Sequence, residues 1–208
     1  MGNAFGNTPT LEEQVETWIE DLNIEISLLD NDIYRIEGEE ENCLQQTKRY
    51  IRKKQPKMIE LYAKNILQNQ AAIRRLTHAK VQMTAIVSKM LESMSQMRVM
   101  NAFKQNAYIT TQMNKLFGLR GISEKFKTIK KEMARAGYIQ DMISEQIDDA
   151  FDDVTDTDVD DAVKSLVEQL TQEELQKVNV QHGGLLPEHK RGLAELDVLL
   201  KKVNTDFD

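Results

Sequence analysis

One cysteine, three prolines and nine glycines in 208 residues leave few of the residue types that staple or bend a fold. With Cys43 alone there is no disulfide framework, and a lone thiol suits a reducing compartment, so a cytoplasmic protein is expected. Aromatic side chains make up only 6% of the chain, which fits an elongated helical protein better than a globule with a deep core. No apolar run approaches the ~20 residues of a membrane span, and no signal-peptide pattern opens the chain. Glycine-rich phosphate loops, nucleophile motifs and Cys/His clusters of zinc spacing are missing, so neither an enzyme, a catalytic residue nor a cofactor is expected. Asp156, Asp158 and Asp160 begin like a calcium loop, but Asp161 stands where glycine is required and Val167 where a bidentate Glu is, so no metal is expected.

What the chain has is charge in blocks. Residues 1–50 carry three basic and twelve acidic side chains, residues 51–138 eighteen and four, and residues 139–208 six and eighteen. The net charge of −7 averages away three strong fields of alternating sign. One boundary lies inside IEGEEENCLQQTKRYIRKKQPK, Ile36 to Lys57, where four glutamates give way to six lysines and arginines. The basic block has few aromatics and no recognised binding motif, so nucleic acid is not an expected partner.

The pattern is helical almost throughout. Thr10 and Glu13 form a capping box, and Val15, Trp18, Leu22, Ile26, Leu29, Ile33 and Ile36 then recur at steps of three and four. This predicts a first helix from about Leu11 to Arg52, weakened but not ended at Gly38, with a turn before Pro56. Neither Gly nor Pro follows from Lys57 to Phe117, so one long second helix is expected. Its stripe is Tyr62, Ile66, Ile73, Leu76, Met83, Val87, Met90, Met94 and Met97, with Asn69 and Lys80 as polar interruptions. Matching stripes and a short turn imply an antiparallel hairpin, and the methionines read either as flexible core filler or as a seam that repacks between partners. Beyond Gly118 and Gly121 a further helix is expected with Phe126, Ile129, Met133, Ile139, Ile143, Ile147 and Phe151 on one face. DDVTDTDVDD then reads as a linker or solvated helix start, Val163 to Leu170 as a short helix, and Thr171 with Glu174 as the cap of another turn. The expected fold is all-α: a long antiparallel hairpin, shorter helices, and an acidic C-terminal tail with a small terminal helix. The boundaries expected are an N-terminal membrane-anchor segment 1–9, a helical hairpin core 10–118, a connecting helix of the core 119–154 and an acidic regulatory tail 155–208 with the terminal amphipathic helix.

The basic hairpin, the stretch KKEMARAGYIQDMISEQIDDAFDD (Lys130 to Asp153) and the acidic tail ending in a Leu-rich helix together resemble the ESCRT-III family, the charged multivesicular body proteins. Across 80–153 the pattern KEM-x-(R/K)-AG-x-I-x-(D/E)-M is most similar to the late-recruited subunits that cap or remodel the filament. The resemblance implies a cytoplasmic subunit recruited to endosomal or other cytosol-facing membranes, where it polymerises and drives scission. It also implies partners: other ESCRT-III subunits in homo- and heteropolymers, an anionic membrane surface, and a AAA ATPase that the tail helix recruits through the ATPase's MIT domain. In one respect the chain departs from the family, whose first helix is usually basic; here Glu12, Glu13, Glu16, Glu20, Asp21 and Glu25 make it acidic. A curved dimeric scaffold of the BAR type and a coiled-coil adaptor without membrane activity remain alternative readings of the same residues.

Four sets of candidate residues follow. Lys48, Arg49, Arg52, Lys53, Lys54, Lys57 and Lys64 would form a basic surface at the hairpin tip, where each charge near anionic lipid contributes up to ~1 kcal/mol. Gly2 stands where N-myristoylation acts, although Gly6 occupies the place of the expected Ser or Thr, and Phe5 could insert as a shallow anchor. Asp148, Asp149, Asp152, Asp153, Asp156, Asp158, Asp160 and Asp161 would hold the tail near the positive hairpin in an autoinhibited monomer. In LAELDVLLKKV, Leu196, Leu200 and Val203 share a face that would enter an MIT-domain groove; the resemblance places Leu193 and Leu199 where the family carries an acidic residue and an Arg.

Overall fold

The capping pair expected at Thr10 is made. Thr10 Oγ1 accepts from the Glu13 amide at 3.2 Å and Glu13 Oε2 accepts from the Thr10 amide at 2.7 Å, satisfying two donors that a helix start otherwise leaves open. Helix α1 (Leu11–Arg52) begins there and runs unbroken through Gly38, where an added side chain would meet nothing within 4 Å. It closes on a Schellman turn: the Gln55 amide donates to Tyr50 O at 3.2 Å, the Lys54 amide to Ile51 O at 3.0 Å, and Lys54 takes φ 55°. Pro56 opens α2 (Pro56–Met100), at the helix position where a missing N–H costs nothing.

Lys54 sits where glycine is usual, and a left-handed non-glycine residue costs roughly 1–2 kcal/mol. Lys54→Gly is therefore expected to leave stability unchanged or raise it by up to about 1 kcal/mol, glycine's extra chain entropy offsetting part of the relief. A urea midpoint that falls clearly below wild type would show that the turn is not strained.

The computed structural model describes residues 9–100, 106–119, 121–140 and 156–181, and every regular element among them is α-helical. The two long helices pair antiparallel. Arg98 reaches Glu12 and Lys80 Nζ reaches Asp30 Oδ1 at 2.5 Å, so eighteen residues forward on α1 match eighteen backward on α2.

The second helix is shorter than the sequence predicts. α2 ends at Met100, and a separate α3 (Ala107–Phe117) starts at Asn106, whose Oδ1 accepts from the amides of Tyr108 at 3.0 Å and Ile109 at 3.4 Å. Freedom from Gly and Pro permits a helix but does not compel one, and an Asn able to cap was sufficient to start a new element.

The next helix is also cut short. α4 (Glu124–Arg135) terminates in a second Schellman turn, with the Tyr138 amide bonded to Met133 O at 2.9 Å, the Gly137 amide to Ala134 O at 3.0 Å, and Gly137 at φ 72°. Ile139 is buried as expected but lies past this turn, and Ile143, Ile147 and Phe151 lie outside the described residues.

In the tail, residues 156–161 are the start of a helix, the second of the two readings of DDVTDTDVDD, and one continuous α5 (Asp156–Gln181) replaces the separate short helix and capped turn. Thr171 is interior to it and caps nothing; its Oγ1 donates to Val167 O at 2.7 Å.

The chain divides into two compact units, Met1–Ile33 with Arg75–Asp148, and Tyr34–Arg74 with Asp149–Asp208. The first has a core in which Trp18 and Leu22 of α1, Met83 and Met90 of α2, Met113 of α3, and Phe126 and Met133 of α4 are all at most 3% exposed. Met83, Met90 and Met94 are thus core packing, the plainer of the two readings of the Met row. Tyr138 is set edge-on to Trp18 with ring centroids 5.6 Å apart, and the indole N–H donates to Glu132 at 3.3 Å. Burial pushes the Tyr138 phenol up to about 12, so it stays neutral at physiological pH.

Candidate functional site

The second unit contains the hairpin tip. Ile51 from the end of α1 and Ile59 and Ala63 from the start of α2 present a small apolar patch, and Val163, Val167 and Leu170 of α5 pack onto it, each residue at most 3% exposed. Spacings of four and three put Val163, Val167, Leu170 and Glu174 on one face of α5, so the carboxylate arrives at the edge of the apolar contact.

There it meets the basic segment. Arg52 Nε lies 2.6 Å from Glu174 Oε2, Lys48 Nζ 3.4 Å from Glu173 Oε2, and Lys64 Nζ 3.3 Å from Asp160 Oδ1 and 3.0 Å from Glu60. Burial alone would raise the Glu174 carboxyl, but the Arg52 hydrogen bond and charge, helped by Lys177, hold it below its ordinary 4.5. Arg52 is pushed up in turn, chiefly by its hydrogen bond with Glu174, and Lys64 chiefly by its bond with Glu60. The Arg52 side chain remains 67% exposed while that of Glu174 is 7% exposed, so the pair is bound to the fold at one end and open to solvent at the other.

Of the seven predicted tip cations, Lys48, Arg52 and Lys64 are therefore engaged by α5. Arg49, Lys53, Lys54 and Lys57 are exposed. Lys53 Nζ lies 5.8 Å from the centroid of the Tyr50 ring, which stacks on Tyr62 at 5.5 Å. Of the predicted acidic set, Asp160 is paired with Lys64 and Asp161 is exposed. Asp156 and Asp158 fall in the first turn of α5, with side chains outside the described residues. Gly2, Phe5, Asp148, Asp149, Asp152, Asp153, Leu196, Leu200 and Val203 lie outside the described residues altogether.

Glu173 and Glu174, which pair with Lys48 and Arg52, were not among the candidate site residues read from sequence, where Glu174 figured only as a capping partner of Thr171. The signal was present: Glu174 continues the row of Val163, Val167 and Leu170, but the capping-box spacing of Thr171 and Glu174 suggested a helix start instead.

In the first unit, the acidity of α1 finds partners inside the fold. Glu12 and Glu16 both bond Arg98, Asp21 pairs with Lys125 at 2.8 Å, and the buried Glu25 accepts from Ser123, the residue that caps α4. An acidic first helix is thus matched by cations and a hydroxyl of α2, α4 and the loop before α4.

No helix among the described residues is long and apolar enough to cross a membrane. The Snf7 family profile matches residues 17–190. Charged multivesicular body protein 3 of Danio rerio is 26% identical over 143 residues, covering 68% of this chain and 65% of that protein. The proteins of the same name from Rattus norvegicus and Homo sapiens are each 24% identical over 143 residues, covering 68% of this chain and 64% of theirs. The chain thus spans 64–65% of the length of these curated relatives.

Proposed function

Because the chain belongs to the Snf7 family, the ESCRT-III proteins, we propose that it is a non-enzymatic subunit that polymerises on anionic, cytosol-facing membranes and remodels them. The proposed cycle has a closed form, in which α5 covers part of the hairpin tip, and an open form, in which the tip meets lipid or another subunit. The observation that carries this reading is the docking of α5: its carboxylates occupy Lys48, Arg52 and Lys64, three of the cations proposed for lipid. Lipid phosphate and α5 would compete for the same groups, so membrane binding favours opening. Recruitment to endosomal membranes, copolymerisation with other ESCRT-III subunits and disassembly by an MIT-domain AAA ATPase acting on Leu196, Leu200 and Val203 belong to the same proposal.

Arg49, Lys53 and Lys57 are the best probes of lipid contact, because they are exposed and their reversal spares the ion pairs to α5. At ~1 kcal/mol per cation near an anionic surface, changing all three to Glu is expected to weaken co-sedimentation with anionic liposomes by about a hundredfold or more at low salt. Raising the salt should erase most of the difference. Undiminished binding of the triple variant at low salt would remove the tip as the lipid contact.

A further inference from the structure

Thr77, Val81, Thr84, Ser88, Leu91 and Ser95 follow one another on α2 at steps of four and three, the spacing of a coiled-coil seam. All six are exposed, Val81 at 59% and Leu91 at 45%, and none carries charge. The solvent face of a helix is normally its charged face. Three of the hydroxyls are already turned back on the helix: Thr84 donates to Lys80 O at 2.9 Å, Ser88 to Thr84 O at 3.0 Å and Ser95 to Leu91 O at 3.1 Å. The strip is therefore small, smooth and nearly apolar, suited to close approach of another helix.

We propose that this strip pairs with the same strip of a second copy of the chain, antiparallel about a two-fold axis near Ile86. The order of residues is a palindrome in kind. With the two helices opposed, Thr77 faces Ser95, Val81 faces Leu91 and Thr84 faces Ser88, so hydroxyl meets hydroxyl and apolar meets apolar, in the alternation that an isologous contact requires.

The ends match in charge as well. One step beyond the strip on either side are Arg74 and Arg98, which the same register brings together. Arg98 already holds both Glu12 and Glu16, so that cluster is net negative and Arg74 of the other copy meets an opposite charge.

The strip is about 27 Å long and a helix about 10 Å across, so roughly 300 Å² per copy is available. That is well below what a stable dimer needs, and the pairing is weak, forming where the chain is concentrated. This surface is separate from the tip, and the proposal stands or falls apart from the membrane reading.

The test uses the full chain with Cys43→Ser, carrying either Val81→Cys or Leu91→Cys, the two variants distinguished by mass and mixed under mild oxidation. The mixed 81–91 disulfide should form at least about tenfold faster than either homodisulfide, since like positions on opposed helices lie about 15 Å apart. In sedimentation equilibrium, apparent mass should rise with concentration, and Val81→Glu should abolish the rise without changing the helical circular dichroism. Homodisulfides that match the mixed product, or cross-linking no faster than through a Ser165→Cys control, would overturn the pairing. A mass independent of concentration would do the same.

Discussion

Val167→Asp is expected to detach α5 from the hairpin tip while leaving the first unit folded. Val167 is 1% exposed and packed among Ile51, Ile59 and Ala63, so the new carboxylate would lie in apolar contact without a partner. The buried apolar cluster and the ion pairs of Lys48, Arg52 and Lys64 hold α5 there, and these ion pairs are partly exposed, each contributing on the order of 0–1 kcal/mol. The apolar cluster thus carries most of the docking energy, and a charge in its middle removes it. Amide exchange across 156–181 should accelerate strongly, and binding to anionic liposomes should rise by about tenfold or more, because a closed form binds in proportion to the fraction of time it is open. Accelerated exchange with unchanged lipid binding would leave α5 a packing element and sink the autoinhibitory role. Unchanged exchange would mean that the cluster is not what holds α5.

Acid should loosen the same contact. Glu174 titrates below its ordinary 4.5 in the folded chain, so its contribution is fully present above about 4.5 and disappears as pH falls through the lowered value. Glu174→Gln should flatten the dependence of α5 docking on pH below 4.5, read as amide exchange corrected for its intrinsic pH dependence.

Phe126→Ala is expected to cost the first unit about 3–5 kcal/mol, the range for deleting a fully buried aromatic ring. Phe126 is 0% exposed, and the amide that places it at the start of α4 donates to the Ser123 cap at 3.0 Å. Losing the ring empties the point where α3 and α4 meet the hairpin, so protection of amides in α3 and α4 should fall together. A loss below about 1 kcal/mol would mean that this core is not closed by α4.

Much of this was legible in the residues. The capping box at Thr10, the limits of α1 and the turn before Pro56 follow from local chemistry, because each is decided within one or two turns of chain. The paired apolar stripes implied the hairpin, since neither long helix can bury its stripe alone. Family membership was readable in a motif and a charge layout. The two helix endings that were missed also have local causes, the Asn106 cap and the left-handed Gly137, but their signals were weaker than the uninterrupted apolar periodicity around them.

Only the tertiary structure decided where the charges go. Sequence shows an acidic first helix, a basic middle and an acidic tail, and electrostatics between exposed chains has no register of its own. Register came from packing: Val163, Val167 and Leu170 seat α5 against Ile51, Ile59 and Ala63, and that seating brings Glu173 and Glu174, rather than the more conspicuous aspartates, to Lys48 and Arg52. The acids of α1 likewise find Arg98, Lys125 and Ser123 because the core places those residues beside them. Charge blocks told which surfaces could attract; apolar contacts, short in range and exacting in shape, selected which side chains meet.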